Sequence, residues 1–241
     1  MLTRWLQNWY RAEWRWRTAA LASAWGVALL AALMIRLWIL FVPYWYDESM
    51  SVYFVQGGFI RMLRLVFASV QVPFYFTVLF GWVRLVGDSP AATGMLSLLF
   101  GAVTTYLVVV LGRNWYGPRV GWLAAGIFWV SLGNIIHSTD TKVYSLLMLI
   151  SVLAVYCLQQ WRNGRRFYRW GWVLVNLIGF ATQLLYLFFI VAQGLVLWYW
   201  VRRGEPAVPR RQVLATVGTL AVAMLPLSLK ASAENGALPR S

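Results

Sequence analysis

Ionisable residues are scarce in this chain: of its 241 residues 12% are charged, 7 are acidic, 1 is histidine and 1 is cysteine. A soluble domain carries roughly twice that charged fraction. With 61% hydrophobic residues and a mean hydropathy of +0.65, water is excluded as the main solvent. The single cysteine, Cys157, lies inside an apolar run, so neither a disulfide framework nor a thiolate metal site is supported, and its reading is packing. The lone His137 has no second histidine or cysteine near it, which leaves zinc without a ligand set. The chain has no Walker loop, no G-x-S-x-G elbow and no H-E-x-x-H, so most soluble enzyme mechanisms drop out.

What the chain has is apolar length punctuated by arginine. A net charge of +14 would suggest nucleic acid if the basic residues formed a stripe on a polar surface. They sit instead in short clusters between apolar runs, as in the cytoplasmic loops of membrane proteins. The partner implied is therefore the lipid bilayer, with no nucleic acid. The apolar segments are Ala19–Val42, Pro73–Gly87, Ala91–Leu111, Val120–Ile136, Val143–Gln160, Gly171–Trp200 and Gln212–Leu229. The first follows a polar stretch carrying Trp5, Trp9, Trp14 and Trp16 and is not followed by a small-residue cleavage site, so it reads as a retained helix rather than a removable signal.

A spanning helix needs about 20 residues, which makes Pro73–Gly87 short and Gly171–Trp200 too long for one crossing. Arginine clusters mark the cytoplasmic side when loops are short. They occur in the N-terminal tail (Arg4, Arg11, Arg15, Arg17), at Arg113 and Arg119, at Arg162, Arg165, Arg166 and Arg169, and at Arg202, Arg203, Arg210 and Arg211. Any two clusters must be separated by an even number of crossings. Pro73–Gly87 then becomes a helix on or dipping into the outer face, and Gly171–Trp200 a hairpin of two short helices turning near Thr182 and Gln183. The expected fold is all-α, a polytopic transmembrane bundle of about seven crossings with interfacial helices in its first outer loop. Residues 1–18 form a cytoplasmic amphipathic segment, 19–230 the membrane module with outer loop 43–90, and 231–241 the start of a further outer loop.

This topology gathers Asp47, Glu48, Asp88, His137, Asp140 and Lys142 on the outer side. Ionisable groups are costly in a lipid-embedded protein and mark candidate sites. Asp47 and Glu48, wrapped in Tyr44, Trp45 and Tyr46, suit a general base for an acceptor or ligands for a divalent cation such as Mg or Mn. A solvated acidic turn in an aromatic belt explains them equally well. Arg61 and Arg64 lie three apart in Phe59–Val70, as in an interfacial helix that binds lipid phosphate or simply anchors the loop. Asp140 and Lys142 precede a helix, where Ser138 or Thr139 would cap and the helix dipole would favour Asp140. Arg36, near the outer end of the first helix, is expected to snorkel. Neither paired intramembrane charges nor an inverted repeat points to a transporter.

Four segments in register carry a family resemblance: Leu37-Trp38 with Trp45-Tyr46-Asp47-Glu48-Ser49; Gln71-Val72-Pro73-Phe74-Tyr75-Phe76 running to Gly87-Asp88-Ser89-Pro90; Leu111-Gly112-Arg113-Asn114-Trp115-Tyr116-Gly117; and Ser138-Thr139-Asp140-Thr141-Lys142-Val143-Tyr144. From about Ala19 to Trp200 the chain resembles the C-type-fold membrane glycosyltransferases, in the group of bacterial relatives of dolichyl-phosphate-mannose protein mannosyltransferases and lipid A aminoarabinose transferases. The resemblance implies transfer of a sugar from a polyprenyl-phosphate donor to an acceptor on the outer face of the cytoplasmic membrane. It puts Asp47, with Glu48 beside it, in the place of the catalytic base, and donor contacts at Gln71, His137, Asp140, Lys142 and Tyr144, with Arg61, Arg64 and Lys142 as candidates for the departing phosphate.

The departures from that family are specific. Gln71-Val72-Pro73 stands where relatives commonly have His-Pro-Pro or Lys-Pro-Pro, Asp140-Thr141-Lys142 where they have Glu-Ala-Arg, and Thr182-Gln183 where many have Thr-His. Relatives also continue past the seventh helix, whereas this sequence ends at Ser241, so a fragment or a minimal partner-dependent module is expected. A non-catalytic lipid-binding scaffold derived from such an enzyme is the alternative reading.

Overall fold

A computed structural model of the chain describes residues 23–69, 71–204 and 208–236, the last eleven of these for the backbone alone. The expected amphipathic segment 1–18 lies outside the described residues. Every regular element among them is helical: α1 (Ser23–Ile39), α2 (Tyr46–Val55), α3 (Phe59–Phe67), α4 (Pro73–Val86), α5 (Pro90–Tyr116), α6 (Pro118–Val130), α7 (Leu132–His137), α8 (Tyr144–Arg162), α9 (Tyr168–Thr182), α10 (Tyr186–Arg202) and α11 (Arg210–Gly236). Two of these, α5 and α8, are long and apolar enough to cross a membrane; α1, α4 and α10 are apolar but shorter. At 1.5 Å per residue α5 extends about 40 Å, more than the ~30 Å of a hydrocarbon core.

Local chemistry explains most boundaries. Pro73, Pro90 and Pro118 open α4, α5 and α6 at the first turn, where a missing N–H costs nothing. Ser89 caps α5 by accepting the Ala92 N–H. The α5–α6 hairpin is closed by glycine at a contact that admits no side chain: a Cβ on Gly112 would lie 2.6 Å from the Gly121 Cα. Such close backbone approach is available only to glycine.

Three expectations about boundaries need correction. Val120–Ile136 is not one helix, because Ser131 is extended and its hydroxyl accepts the Asn134 N–H, ending α6 and starting α7. Ser138 and Thr139 do not cap α8: their hydroxyls bond back to the carbonyls of Ile135 and Ile136, and α8 begins only at Tyr144. α11 continues to Gly236 rather than ending near Lys230, since Pro226 removes one ladder bond without stopping the helix.

The core runs through α2, α3, α4, α8, α9, α10 and α11, with Leu96 contributed by α5. Val55, Met62, Val66, Tyr75 and Leu79 from the first-loop helices join Trp161, Trp172, Phe180 and Leu197 in one cluster. The first loop is therefore a packed part of the fold. The outward faces are more apolar than parts of the interior. On α10, Phe188, Val191, Leu195 and Trp198 are exposed while Gln193 is buried. Its amide donates to Asn176 at 2.9 Å and accepts the Trp172 indole N–H at 2.6 Å, so these three buried side chains satisfy one another. An apolar exterior around a hydrogen-bonded polar interior is suited to lipid.

Candidate functional site

The segment Ser138–Lys142, between α7 and α8, is irregular and its buried hydroxyls and backbone groups must be satisfied by neighbours. Three elements do this. From α1, Arg36 donates through Nε to the Ser138 hydroxyl at 2.8 Å. From α5, the Ser97 hydroxyl donates to the Asp140 carbonyl at 2.5 Å, and Thr93 shares a 2.8 Å bond with Thr141. From α2, Glu48 accepts the Thr141 N–H at 2.9 Å. Close approach of this segment to α5 requires Gly101, where a Cβ would lie 2.6 Å from that of Ser138.

Arg36 does not snorkel. It is fully buried, its guanidinium stacked 4.1 Å from the Trp129 ring and donating to the carbonyls of Ala32 and Trp129. The Trp129 carbonyl belongs to the last turn of α6 and has no partner within its helix, so Arg36 satisfies it and sets a cation against the negative end of the dipole. No sequence signal revealed this fate, because residues on both faces of α1 are apolar: Ala32 and Arg36 are buried, whereas Ile35, Leu37 and Trp38 are exposed.

Asp47 and Glu48, adjacent in sequence, diverge in space. Asp47, largely exposed, meets the Lys142 ammonium at 3.2 Å. Glu48 turns back, with Oε2 accepting the Trp45 N–H at the start of α2 and Oε1 accepting the Thr141 N–H, each at 2.9 Å. Glu48 is thus a strut between α2 and the Ser138–Lys142 segment, and it holds the neighbouring Asp47 opposite Lys142. The two carboxylates do not fit joint ligation of a divalent cation. One is paired with an ammonium, both oxygens of the other hold backbone N–H groups, and no set of three or more His, Cys, Asp or Glu side chains converges among the described residues.

Two cavities flank this strut. The first, of about 380 Å³, is lined by Asp47, Lys142, Tyr144 and Gln71 together with Ser51, Ser69, Gln183 and the apolar Met50, Phe54, Phe76 and Val143. Of the sequence candidates it brings together Asp47, Gln71, Lys142 and Tyr144. It adds Ser51, Ser69 and Gln183, none of which was a site candidate, although Gln183 stood out as a departure from the family pattern. The second, of about 240 Å³, is lined by Glu48, Asp140, Tyr44, Trp38, Trp45 and neighbouring apolar residues. Asp140 is half-buried there, and burial first, then the nearby Glu48 charge, raise its carboxyl above the usual range. His137 lies 3.7 Å from Asp140, too far for a hydrogen bond, with its ring 4.8 Å from that of Tyr144.

Arg61 and Arg64 line neither cavity. Arg61 donates to the Gln56 carbonyl at 2.6 Å and lies over the Tyr53 ring, so it closes the α2–α3 turn. Arg64 lies exposed on α3, an amphipathic helix whose Met62 and Val66 face the core. Chemically, the first cavity offers one carboxylate, one ammonium, several neutral hydrogen-bonding groups and apolar walls. No family model, curated protein or solved structure matches this chain.

Proposed function

We propose that this chain is a multi-pass glycosyltransferase of the cytoplasmic membrane, with about seven crossings, a cytoplasmic N-terminus and an outward-facing site, moving a sugar from a polyprenyl-phosphate donor to an acceptor. The observation that carries this reading is the Asp47–Lys142 pair, 3.2 Å apart on the wall of a cavity whose other walls are neutral and apolar. An inverting displacement at an anomeric carbon needs a base on the attacking hydroxyl and positive charge on the departing phosphate, and these are the two groups present.

In the proposed step Lys142 exchanges Asp47 for the donor phosphate, which frees the carboxylate. Asp47 then takes the acceptor O–H proton as the oxygen attacks the sugar's anomeric carbon. The bond from that carbon to the phosphate oxygen breaks, and polyprenyl phosphate leaves with the electron pair, its charge held by Lys142. Glu48 does not touch the reacting atoms; it positions Asp47 through Thr141. The exposed apolar faces of α1, α5, α6 and α10 support embedding in lipid, with α5 and α8 the longest candidate spans.

The test is transfer of labelled sugar from polyprenyl-phosphate donors in membranes containing the protein. Asp47→Asn should lower transfer by about 10²-fold or more with donor binding retained. Full transfer by that variant would sink the reading. Donor binding by the unaltered protein with no transfer to any acceptor would favour a lipid-binding scaffold instead. Topology is checked separately with single cysteines in a Cys157→Ser background, where positions 140 and 165 should label from opposite sides.

A further inference from the structure

The first cavity has a charge inventory that constrains its ligand. Asp47 and Lys142 are the lone carboxylate and ammonium among its lining residues, and each is the other's partner. Its remaining polar groups are the hydroxyls of Ser51, Ser69 and Tyr144 and the amides of Gln71 and Gln183. Ser51 and Ser69 donate to the carbonyls of Asp47 and Val66, which leaves the Ser51 oxygen as an acceptor, while that of Ser69 already accepts the Gln71 N–H. Gln183 closes the turn between α9 and α10 through its backbone, whose N–H donates to the Gly179 carbonyl and whose carbonyl accepts the Tyr186 N–H. The amide side chain is left to face the cavity. Gln71, at the entry to α4, contributes a second amide on another wall. Phe54, Phe76 and Tyr144 supply flat apolar surfaces beside these groups.

We infer that this cavity accepts a single uncharged monosaccharide, its hydroxyls read by Gln71 and Gln183 and an apolar ring face set against Phe54, Phe76 or Tyr144. The inference rests on the glycosyltransferase reading and narrows its donor. With Lys142 on the donor phosphate and Asp47 on the acceptor hydroxyl, no charged side chain of the cavity remains for an amino or carboxylate substituent on the sugar. Such a substituent would lose hydration without gaining a partner, a strongly unfavourable exchange. Neutral amides and hydroxyls both donate and accept, which matches sugar hydroxyls. The volume, about 380 Å³, lies at the small end of the roughly 300–1,000 Å³ typical of ligand pockets and suits one sugar with its phosphate.

The experiment uses the full chain in lipid nanodiscs with Asp47→Asn, which withdraws the carboxylate that donor binding alone would leave free, and intrinsic tryptophan fluorescence reports affinity for four short-chain polyprenyl phosphates: the bare carrier and its neutral hexose, amino-sugar and uronic-acid forms. The neutral hexose form should bind at least about tenfold more tightly than the amino-sugar and uronic-acid forms and more tightly than the bare carrier. Gln183→Glu, which introduces a carboxylate at a turn held by backbone bonds, should shift preference toward the amino sugar by about tenfold, and Gln183→Ala should narrow the preference without restoring it. Tightest binding of either charged form with Gln183 in place would overturn the inference while leaving the donor reading standing. Equal binding of all four would do the same, since the sugar would then not be read. Binding of none would remove the glycosyltransferase reading itself.

Discussion

The first cavity has two walls built on different physics. The Ser138–Lys142 wall is held by side-chain hydrogen bonds from α1, α2 and α5, reaching across as many as 102 residues of sequence. The other wall, the turn carrying Gln183, is held by packing: Tyr186 lies against Gly179 so closely that a Cβ there would come within 2.3 Å of its ring. Hydrogen bonds specify a position at the level of single atoms, so the polar wall fixes the Asp47–Lys142 distance. Close packing fixes volume and tolerates changes in polarity at a side chain that does not itself pack. The chemical groups thus sit on the wall that cannot drift, and the group proposed to read the sugar sits on the wall whose exposed residue can vary.

Breaking the packed wall should have the largest effect. Gly179→Val forces a branched side chain into the Tyr186 ring and should cost about 3 kcal/mol or more, read as a fall in the thermal midpoint of the detergent-solubilised protein. The polar wall should yield less per bond. Arg36→Met leaves the Ser138 hydroxyl and the Trp129 carbonyl without their donor and should cost about 2 kcal/mol. The same change should raise the KM for donor through a displaced Lys142, and Arg36→Lys should recover only part of the loss because an ammonium cannot reproduce the fork. If Arg36→Met left both stability and KM unchanged, the polar wall would not depend on its longest link.

Glu48→Gln retains one oxygen acceptor but cannot accept from both Trp45 and Thr141, and should cost about 1 kcal/mol while lowering kcat more than donor affinity. The smallest effect is expected at Asp140, whose carboxyl is raised by burial and by Glu48. A raised carboxyl means that the folded state binds more protons than the unfolded one. Ionised Asp140 therefore costs stability above its unfolded pKa, and the cost fades as pH falls below that range. Asp140→Asn should raise the midpoint by about 1 °C at neutral pH, with the difference shrinking under acid conditions. A larger stabilisation by Asn at acid pH than at neutral pH would contradict that sign.

Much of the helix layout was legible because it is written in local chemistry. Pro73, Pro90 and Pro118 stand at helix starts, Gly87 and Gly117 at ends, and the hairpin turn at Thr182–Gln183 follows from the length of its apolar run and the arginines on either side. The break at Ser131 was not legible, because a serine inside an apolar stretch reads as one more small residue until its hydroxyl is seen on the Asn134 N–H. Asp47, Gln71, Lys142 and Tyr144 were recognisable as a set only through their place in four separated segments. Their convergence on one cavity is a tertiary fact.

The sequence by itself determined the apolar character of the chain and its elements. Scarce charge and long apolar runs point to an apolar environment, with two helices long and apolar enough to cross a membrane, and proline, glycine and arginine positions divide the chain into helices through sterics and local hydrogen bonding. Only the tertiary structure decided the fates of its few charged groups. Arg36 is turned inward onto Ser138 and Trp129, Glu48 becomes a strut, and Asp47 alone of the adjacent pair reaches Lys142. The reason is that a charge among apolar helices goes to whatever complementary atoms lie within about 3 Å, and those atoms belong to segments that only folding brings near.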